Sequence, residues 1–423
     1  MIRFIHTADI HLDSPLKGLE RYEGAPVDEI RGATRQALEN LVELAIDREV
    51  DFVLIAGDLY DGDWKDHNTG LFFVGQMNRL REVGIPVVMI SGNHDAANKM
   101  TRSLRLPDNL ERLGHTRPTA SKLDRLAELG VAIHGQSFEK PAQFDNLAQG
   151  YPHKQSGMLN IGLLHTSLDG VEGHERYAPC TLDDLRQKQY DYWALGHVHS
   201  RRVCNEDPPI VFPGNIQGRH VRETGAKGCY LVEADDQGRC ELEFVPLDVF
   251  RWEVCAVDAT DAERPEGVLD QFSSELKRCS EDHEGRPLAV RVEVTGATDA
   301  HQPLRTDPIR WTNEIRAAAL ADPSHRVWVE KVEWRTVPRR GLSDHLDSSG
   351  SLDSLLAYLN ELRNDESELV ELSDVLSDLQ RKLPDELRRG EDAMLLDDPK
   401  QLRHWLDEVE PLLLRKLREG GGE

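Results

Sequence analysis

Five short segments combine carboxylate, imidazole and amide side chains at spacings suited to metal binding. They are Asp9-Ile10-His11, Gly57-Asp58-Leu59-Tyr60-Asp61, Gly92-Asn93-His94-Asp95, His165 and Gly196-His197-Val198-His199. Asp9 and His11 stand two apart, as do His197 and His199, so on an extended segment each pair points to one side. This donor set suits first-row divalent ions such as manganese. No cysteine stands among them, which excludes a thiolate site here. Paired metals about 3.5–4 Å apart clamp the attacking and leaving oxygens of a displacement at phosphorus. A carboxylate shared by both ions would hold that spacing, and Asp58, next to the small Gly57, is its natural candidate. A single Asp-x-His or His-x-His is a weak signal; the ordered set of five is a specific one.

The segments share one context. Each follows an apolar run: Phe4–Ala8, Phe52–Ala56, Val87–Ile90, Ile161–Leu164 and Trp193–Leu195. Ligands of α/β sheets bind beyond the carboxyl ends of strands, so these five distant segments are expected at one edge. The alternation over 2–8, the helical periodicity over 31–48 and 70–83, and the buried runs 51–56 and 86–90 predict a βαβαβ start. Strand-like runs near 130–135, 159–165, 191–195, 209–212, 228–233 and 240–246 predict two packed sheets flanked by helices. Between 251 and 337 strands and helices alternate again. After Ser348-Ser349-Gly350-Ser351 the chain turns leucine-rich and amphipathic, with Leu355, Leu359 and Leu362 on one face. The expected organisation is an α/β domain over 1–248, a smaller α+β domain over 249–340 and an acidic helical region over 341–423.

Composition narrows the classes. The 423 residues are 39% hydrophobic and 30% charged, a globular profile. No apolar run reaches the roughly 18 residues a membrane span needs, and the N-terminus does not read as a signal peptide. The six cysteines form no CxxC pair. Together these features predict a cytoplasmic protein that is not membrane-bound. The net charge of −25 taken alone argues against nucleic acid as a partner.

In its order and spacing, the motif set resembles the calcineurin-like metallophosphoesterases, over about residues 1–245. That resemblance implies a four-layer αββα sandwich. It implies that Asp9, His11, Asp58 and His199 hold one divalent ion, and that Asp58, Asn93, His165 and His197 hold the other. His94 would protonate the leaving oxygen, with Asp95 as its orienting partner. His6-Thr7-Ala8-Asp9-Ile10-His11-Leu12 is similar to the opening of the SbcD-type DNA repair nucleases. The stretches His165–Cys180 and Pro213–His220 resemble the bacterial YhaO-like subgroup. The resemblance implies manganese-dependent cleavage of DNA phosphodiesters, a capping domain over 249–340 and a coiled-coil ATPase partner of the SbcC type. It also suggests a homodimer. Asp61 departs from the pattern, standing where some relatives carry histidine.

His174, Tyr177, Arg219 and His220 fall in loops expected to approach the site, where they either contact substrate phosphate or order the loops. The leucine-rich tail either packs on its own chain or docks the partner. Two substrate classes stay open: DNA, and a small molecule or cyclic nucleotide, which the acidity favours.

Overall fold

Along strand β1 (Ile2–Thr7), Phe4 and Ile5 face opposite ways. Phe4 joins a core with Phe52, Leu54, Val88, Ile161 and Tyr192, while Ile5 joins one with Val53, Ile55 and Met89. Period-two alternation thus sorts each strand between two cores. In a computed structural model the described residues are 1–14, 27–61, 67–97, 105–168, 177–283, 285–321 and 326–339. In the C-terminal region they are 358–364, 369, 373, 376, 379, 382–383, 394–396, 398–403, 405–406 and 409.

The first sheet has six strands in the order β12 (Cys240–Pro246), β11 (Gly228–Ala234), β1, β2 (Phe52–Ile55), β3 (Val87–Met89) and β4 (Leu110–Arg112). Strands β1 to β4 run parallel, with Phe4 opposite Phe52, and β1 meets β11 antiparallel. The second sheet runs β5 (Thr119–Ala120), β6 (Val131–Gly135), β7 (Leu159–His165), β8 (Tyr192–Gly196), β10 (Pro209–Phe212) and β9 (Arg202–Glu206). The Phe4 core lies between the two sheets, because β6, β7 and β8 supply its other wall.

The outer face of the first sheet is covered by α1 (Val27–Asp47) and α2 (His67–Glu82), through Ala37, Leu41, Phe73 and Met77. The outer face of the second packs Leu164, Trp193 and Leu195 against Leu147, Tyr151 and Leu185. This is the expected four-layer αββα sandwich. Three strands were not foreseen. β4, β5 and β9 are short or half-exposed, and none carries an apolar run.

A third sheet orders β13 (Arg251–Asp258), β14 (Leu288–Thr298) and β15 (Val327–Pro338). Its companions are three helices, Pro265–Asp282, His301–Thr306 and Pro308–Leu320. The chain divides into two compact units. One is Met1–Cys255 with Glu275–Val292 and Ala318–Val332, and the other takes Ala256–Ser274, Glu293–Ala317 and Glu333–Glu423. Among the described C-terminal residues, Leu362, Leu369 and Leu402 bury against one another, with Leu376, Trp405 and Leu406 around them. No helix among the described residues is long and apolar enough to cross a membrane.

Candidate metal centre

The chain beyond β1 stays in step with the chain beyond β2. Asp9 N donates to Gly57 O (3.0 Å), His11 N to Asp58 O (3.1 Å) and Leu12 N to Leu59 O (2.9 Å). This segment is not extended. Asp9, His11 and Asp58 have φ of 49°, 45° and 51°, and His197 has 104°. The side chains therefore converge through left-handed turns, and the expectation that strand alternation aligns each pair is corrected. Such backbone costs about 1–3 kcal/mol per residue and persists only where the surroundings impose it. Here they do. His197 N donates to both carboxylate oxygens of Asp9, at 3.2 and 3.0 Å. Leu59 N, Tyr60 N and Gly92 N all donate to Asp95.

Among the described residues three groups of ligand atoms result: Asp9, His11 and His199; Asp58, His165 and His197; and His11, Asp61 and His94. Within each group the atoms lie within 4.8 Å of one another. His165 Nδ1 faces the carbonyl of Ala56 at 2.9 Å and so is a donor. Its Nε2 meets Asn93 Oδ1 at 3.0 Å and Asp58 Oδ2 at 3.4 Å. In a neutral ring Nε2, Asn93 Oδ1 and Asp58 Oδ2 would be three facing acceptors, an arrangement that a proton on Nε2 or a cation between them relieves. In the other group, His11 Nε2 and His199 Nε2 approach to 3.1 Å, and His11 Nδ1 is buried without a hydrogen bond among the described residues. Two glycines leave room for the ligand side chains, Gly57 for the His165 ring and Gly92 for the Asp58 carboxylate. A Cβ on Gly57, whose φ is 94°, would lie 2.5 Å from His165 Nδ1, and one on Gly92 would strike Asp58 Oδ1. Buried carboxylate, imidazole and amide donors in this packing fit hard-to-borderline divalent cations.

The charges agree. Asp9 is buried, which raises its pKa against the pull of His199 and His165. Burial would raise Asp58 too, but the charge of His165 and its hydrogen bond hold this carboxyl well below its usual range. Burial opposes charge on His165, yet the Asp58 carboxylate pushes its pKa up to about 9. His11 is driven well below its ordinary value, first by burial and then by the positive charge of Arg219. Positive charge is therefore favoured beside Asp58.

His94 stands at the rim, 37% exposed, whereas His11 and His165 are fully buried. Its Nδ1 lies against Asp61, not Asp95, which corrects the expected pairing. Asp95 is a buried brace whose oxygens are taken by three backbone N–H groups. Asp61 also accepts from Ser14 Oγ (2.6 Å) and meets Arg219 Nη1 at 3.5 Å.

Arg219 lies beside the site with its guanidinium paired to Glu223 (3.0 Å) and Asp61. His220 is about half exposed, with Nε2 3.6 Å from Glu223. The Tyr177 ring is 5.8 Å from that of His197, at the Asp58 side of the centre. His174 lies outside the described residues. Sequence reasoning missed Glu223, which meets His199 Nδ1 at 2.8 Å. It belongs to no short motif with His199, from which it is 24 residues distant.

The family profile of the calcineurin-like phosphoesterases matches residues 2–201, and that of the metallophosphoesterase YhaO middle domain matches 252–337. The chain is 32% identical to the metallophosphoesterase YhaO of Bacillus subtilis over 422 residues, 99% of this chain and 98% of that protein. The chain belongs to the calcineurin-like phosphoesterases. It is also similar to two proteins named DNA double-strand break repair protein Mre11. The one from Sulfurisphaera tokodaii is 28% identical over 246 residues, 55% of this chain and 59% of that protein. The one from Methanopyrus kandleri is 24% identical over 380 residues, 83% of this chain and 74% of that protein. As a calcineurin-like phosphoesterase the protein is a hydrolase of phosphoesters, and the fold implies divalent metal ions at the clusters described.

Proposed function

We propose that this phosphoesterase is a two-cation DNA phosphodiesterase, an exonuclease able also to cut internally, working in DNA repair with manganese. The observation that carries the reading is the meeting of the Asp9/His11/His199 and Asp58/His165/His197 groups with His94 at their rim. Two divalent ions there would supply Lewis acidity, activating water and neutralising charge on the phosphoryl oxygens. One ion is assigned to Asp9, His11, Asp58 and His199, the other to Asp58, Asn93, His165 and His197. The chain's own acid is His94, which gives its proton to the departing sugar oxygen while Asp61 holds the ring. Tyr177, Arg219 and His220 border the place a substrate would occupy. The DNA substrate is supported by the similarity to the Mre11 proteins.

By the same resemblance, residues 249–340 serve as a capping domain and 341–423 dock an SbcC-like coiled-coil ATPase. A homodimer is the proposed assembly. Six free cysteines support a reducing cytoplasm as its location. A second reading, a small-molecule or cyclic-nucleotide diesterase, is favoured by the net charge of −25. Salt separates the two: DNA affinity falls steeply as salt rises, whereas a small substrate responds weakly.

The test is manganese-dependent digestion of an end-labelled duplex by the purified protein, beside His94→Ala and with bis-p-nitrophenyl phosphate as a second substrate. Digestion by the wild type and loss in the variant supports the nuclease. Hydrolysis of the small diester with DNA untouched, in the presence and absence of the ATPase, overturns DNA as the substrate.

A further inference from the structure

Glu223 is a buried carboxylate whose oxygens are both fully engaged. Oε1 accepts from His199 Nδ1 at 2.8 Å and from Arg219 Nη2 at 3.0 Å. Oε2 accepts from Asn215 Nδ2 and from Arg219 N, each at 2.8 Å. It is 5% exposed. Four donors thus converge on its two oxygens, two of them from Arg219. The loop that carries it is itself fastened. Gln217 Nε2 donates to Phe250 O (2.9 Å), and Trp252 Nε1 to Gly218 O (3.1 Å). Glu223 is therefore a preset anion aimed at one ring nitrogen.

That nitrogen matters because an imidazole that donates through Nδ1 keeps its lone pair on Nε2. His199 Nε2 is the atom that approaches His11 Nε2. Arg219 Nη2 also lies 3.2 Å from His199 Nδ1, but a guanidinium can only donate. Were Nδ1 its acceptor, the His199 proton would sit on Nε2 and block the cluster. The shorter contact to Glu223 selects the other tautomer. The second cluster is built differently. His165 Nδ1 is fixed by the neutral carbonyl of Ala56, not by a carboxylate.

We propose that Glu223 is a positioning residue that fixes His199 with its Nε2 lone pair toward Asp9 and His11, so that it governs the cation affinity of that half of the centre alone. The proposal rests on the two-cation reading above, though not on DNA as the substrate. A carboxylate behind a ligating imidazole sets its orientation and raises its basicity, and its loss lowers metal affinity about 10–100-fold.

The experiment is calorimetric titration of the metal-free full-length protein with manganese chloride, with free manganese followed in parallel by electron paramagnetic resonance. Wild type is compared with Glu223→Gln and with Glu223→Gln/Arg219→Gln. The expected result is two equivalents bound by wild type, with one weakened about tenfold or more in Glu223→Gln and the other unchanged. The double variant stays weak, because removing the Arg219 charge does not restore the tautomer. Both equivalents weakened alike, neither weakened, or rescue in the double variant would overturn the proposal. Fewer than two equivalents in wild type would sink the two-cation reading itself. Should the variants not fold, nitrogen-15 spectra of histidine-labelled wild type, with the His199 signal assigned by its absence in His199→Asn, answer the same question. Protonation of His199 at Nδ1 supports the proposal, and protonation at Nε2 refutes it.

Discussion

His94 Nδ1 lies 2.9 Å from Asp61 Oδ1. Burial would raise the Asp61 pKa, but hydrogen bonds from His94 and Ser14 bring it to about 2, so it is ionised at neutral pH. Burial would lower the His94 pKa, and the Asp61 hydrogen bond with the charges of Asp58 and Asp61 more than offsets this. The pair resembles an acid with its holder, Nδ1 tied back and Nε2 left to give a proton.

General acid catalysis matters only when the leaving group needs a proton. His94→Gln should therefore slow release of a nucleoside alkoxide by about 10²–10⁴-fold. It should slow release of p-nitrophenolate, a stable anion, far less. Asp61→Asn should show the same substrate preference with a smaller loss, of order tenfold. Rates on a dinucleotide and on bis-p-nitrophenyl phosphate, measured side by side, check this. Equal losses on both substrates would make His94 a structural residue.

Asp95 carries a different expectation. Its carboxylate gathers Leu59 N, Tyr60 N and Gly92 N, and so ties the turns after β2 and β3 together. Asp95→Ala leaves three buried donors unpaired, at about 1–3 kcal/mol each. The variant should unfold at markedly lower urea, by about 3 kcal/mol or more. Any loss of activity should be equal for the two leaving groups. A variant as stable as wild type would show that water or another acceptor replaces the carboxylate.

Much of this was legible in the sequence, for a physical reason. Apolar strands such as Phe52–Ile55 are buried throughout and end abruptly in Gly57-Asp58, and a parallel sheet puts such ends at one edge. The local geometry was not legible. Asp9 and His11 read as a strand continuation, but both turn left-handed, a state that aspartate and histidine tolerate and that only the facing chain imposes. Asp95 sits next to His94 in sequence, yet α3 (Asn93–Ala97) begins there and turns the two side chains apart, leaving Asp61 as the partner. Glu223 gave no signal, since its role depends on a loop that folds back to His199 and is held by the chain after β12.

Gly92 offers a test of the carboxylate seat. A Cβ there would strike Asp58 Oδ1 and lie 2.7 Å from His165 Cε1, both on buried side chains held by hydrogen bonds. Gly92→Ala should displace Asp58, the carboxylate proposed above to serve both ions. Wild type should gain thermal stability on adding manganese and lose it with EDTA, because an ion bound only by the folded state stabilises it by about 2.7 kcal/mol at a hundred times its Kd. In Gly92→Ala that gain should shrink to a small fraction. Melting curves with manganese and with EDTA measure both, and an undiminished gain would mean the seat tolerates the methyl.

His6 offers a pH test away from the ligands. It is fully buried, with Nδ1 2.9 Å from the Tyr192 hydroxyl and Nε2 3.1 Å from Leu195 O. Both nitrogens are satisfied by a neutral ring, Nε2 donating and Nδ1 accepting. Burial pushes its pKa down to about 3, against a smaller opposing effect of the Leu195 carbonyl. The unfolded chain titrates near 6.5, so below that pH it binds a proton that the folded protein refuses. The stability due to neutral His6 is thus complete above pH 6.5 and is lost as pH falls from there toward 3, at about 1.4 kcal/mol per unit. Other groups titrate in the same window, so the difference from a variant is the clean measure. His6→Gln keeps a polar side chain and removes the proton site. Its stability between pH 6 and 4.5 should fall less steeply than that of wild type, by about one proton's worth of slope. Parallel urea series across that range give both slopes, and identical slopes would mean that His6 takes up its proton in the folded state.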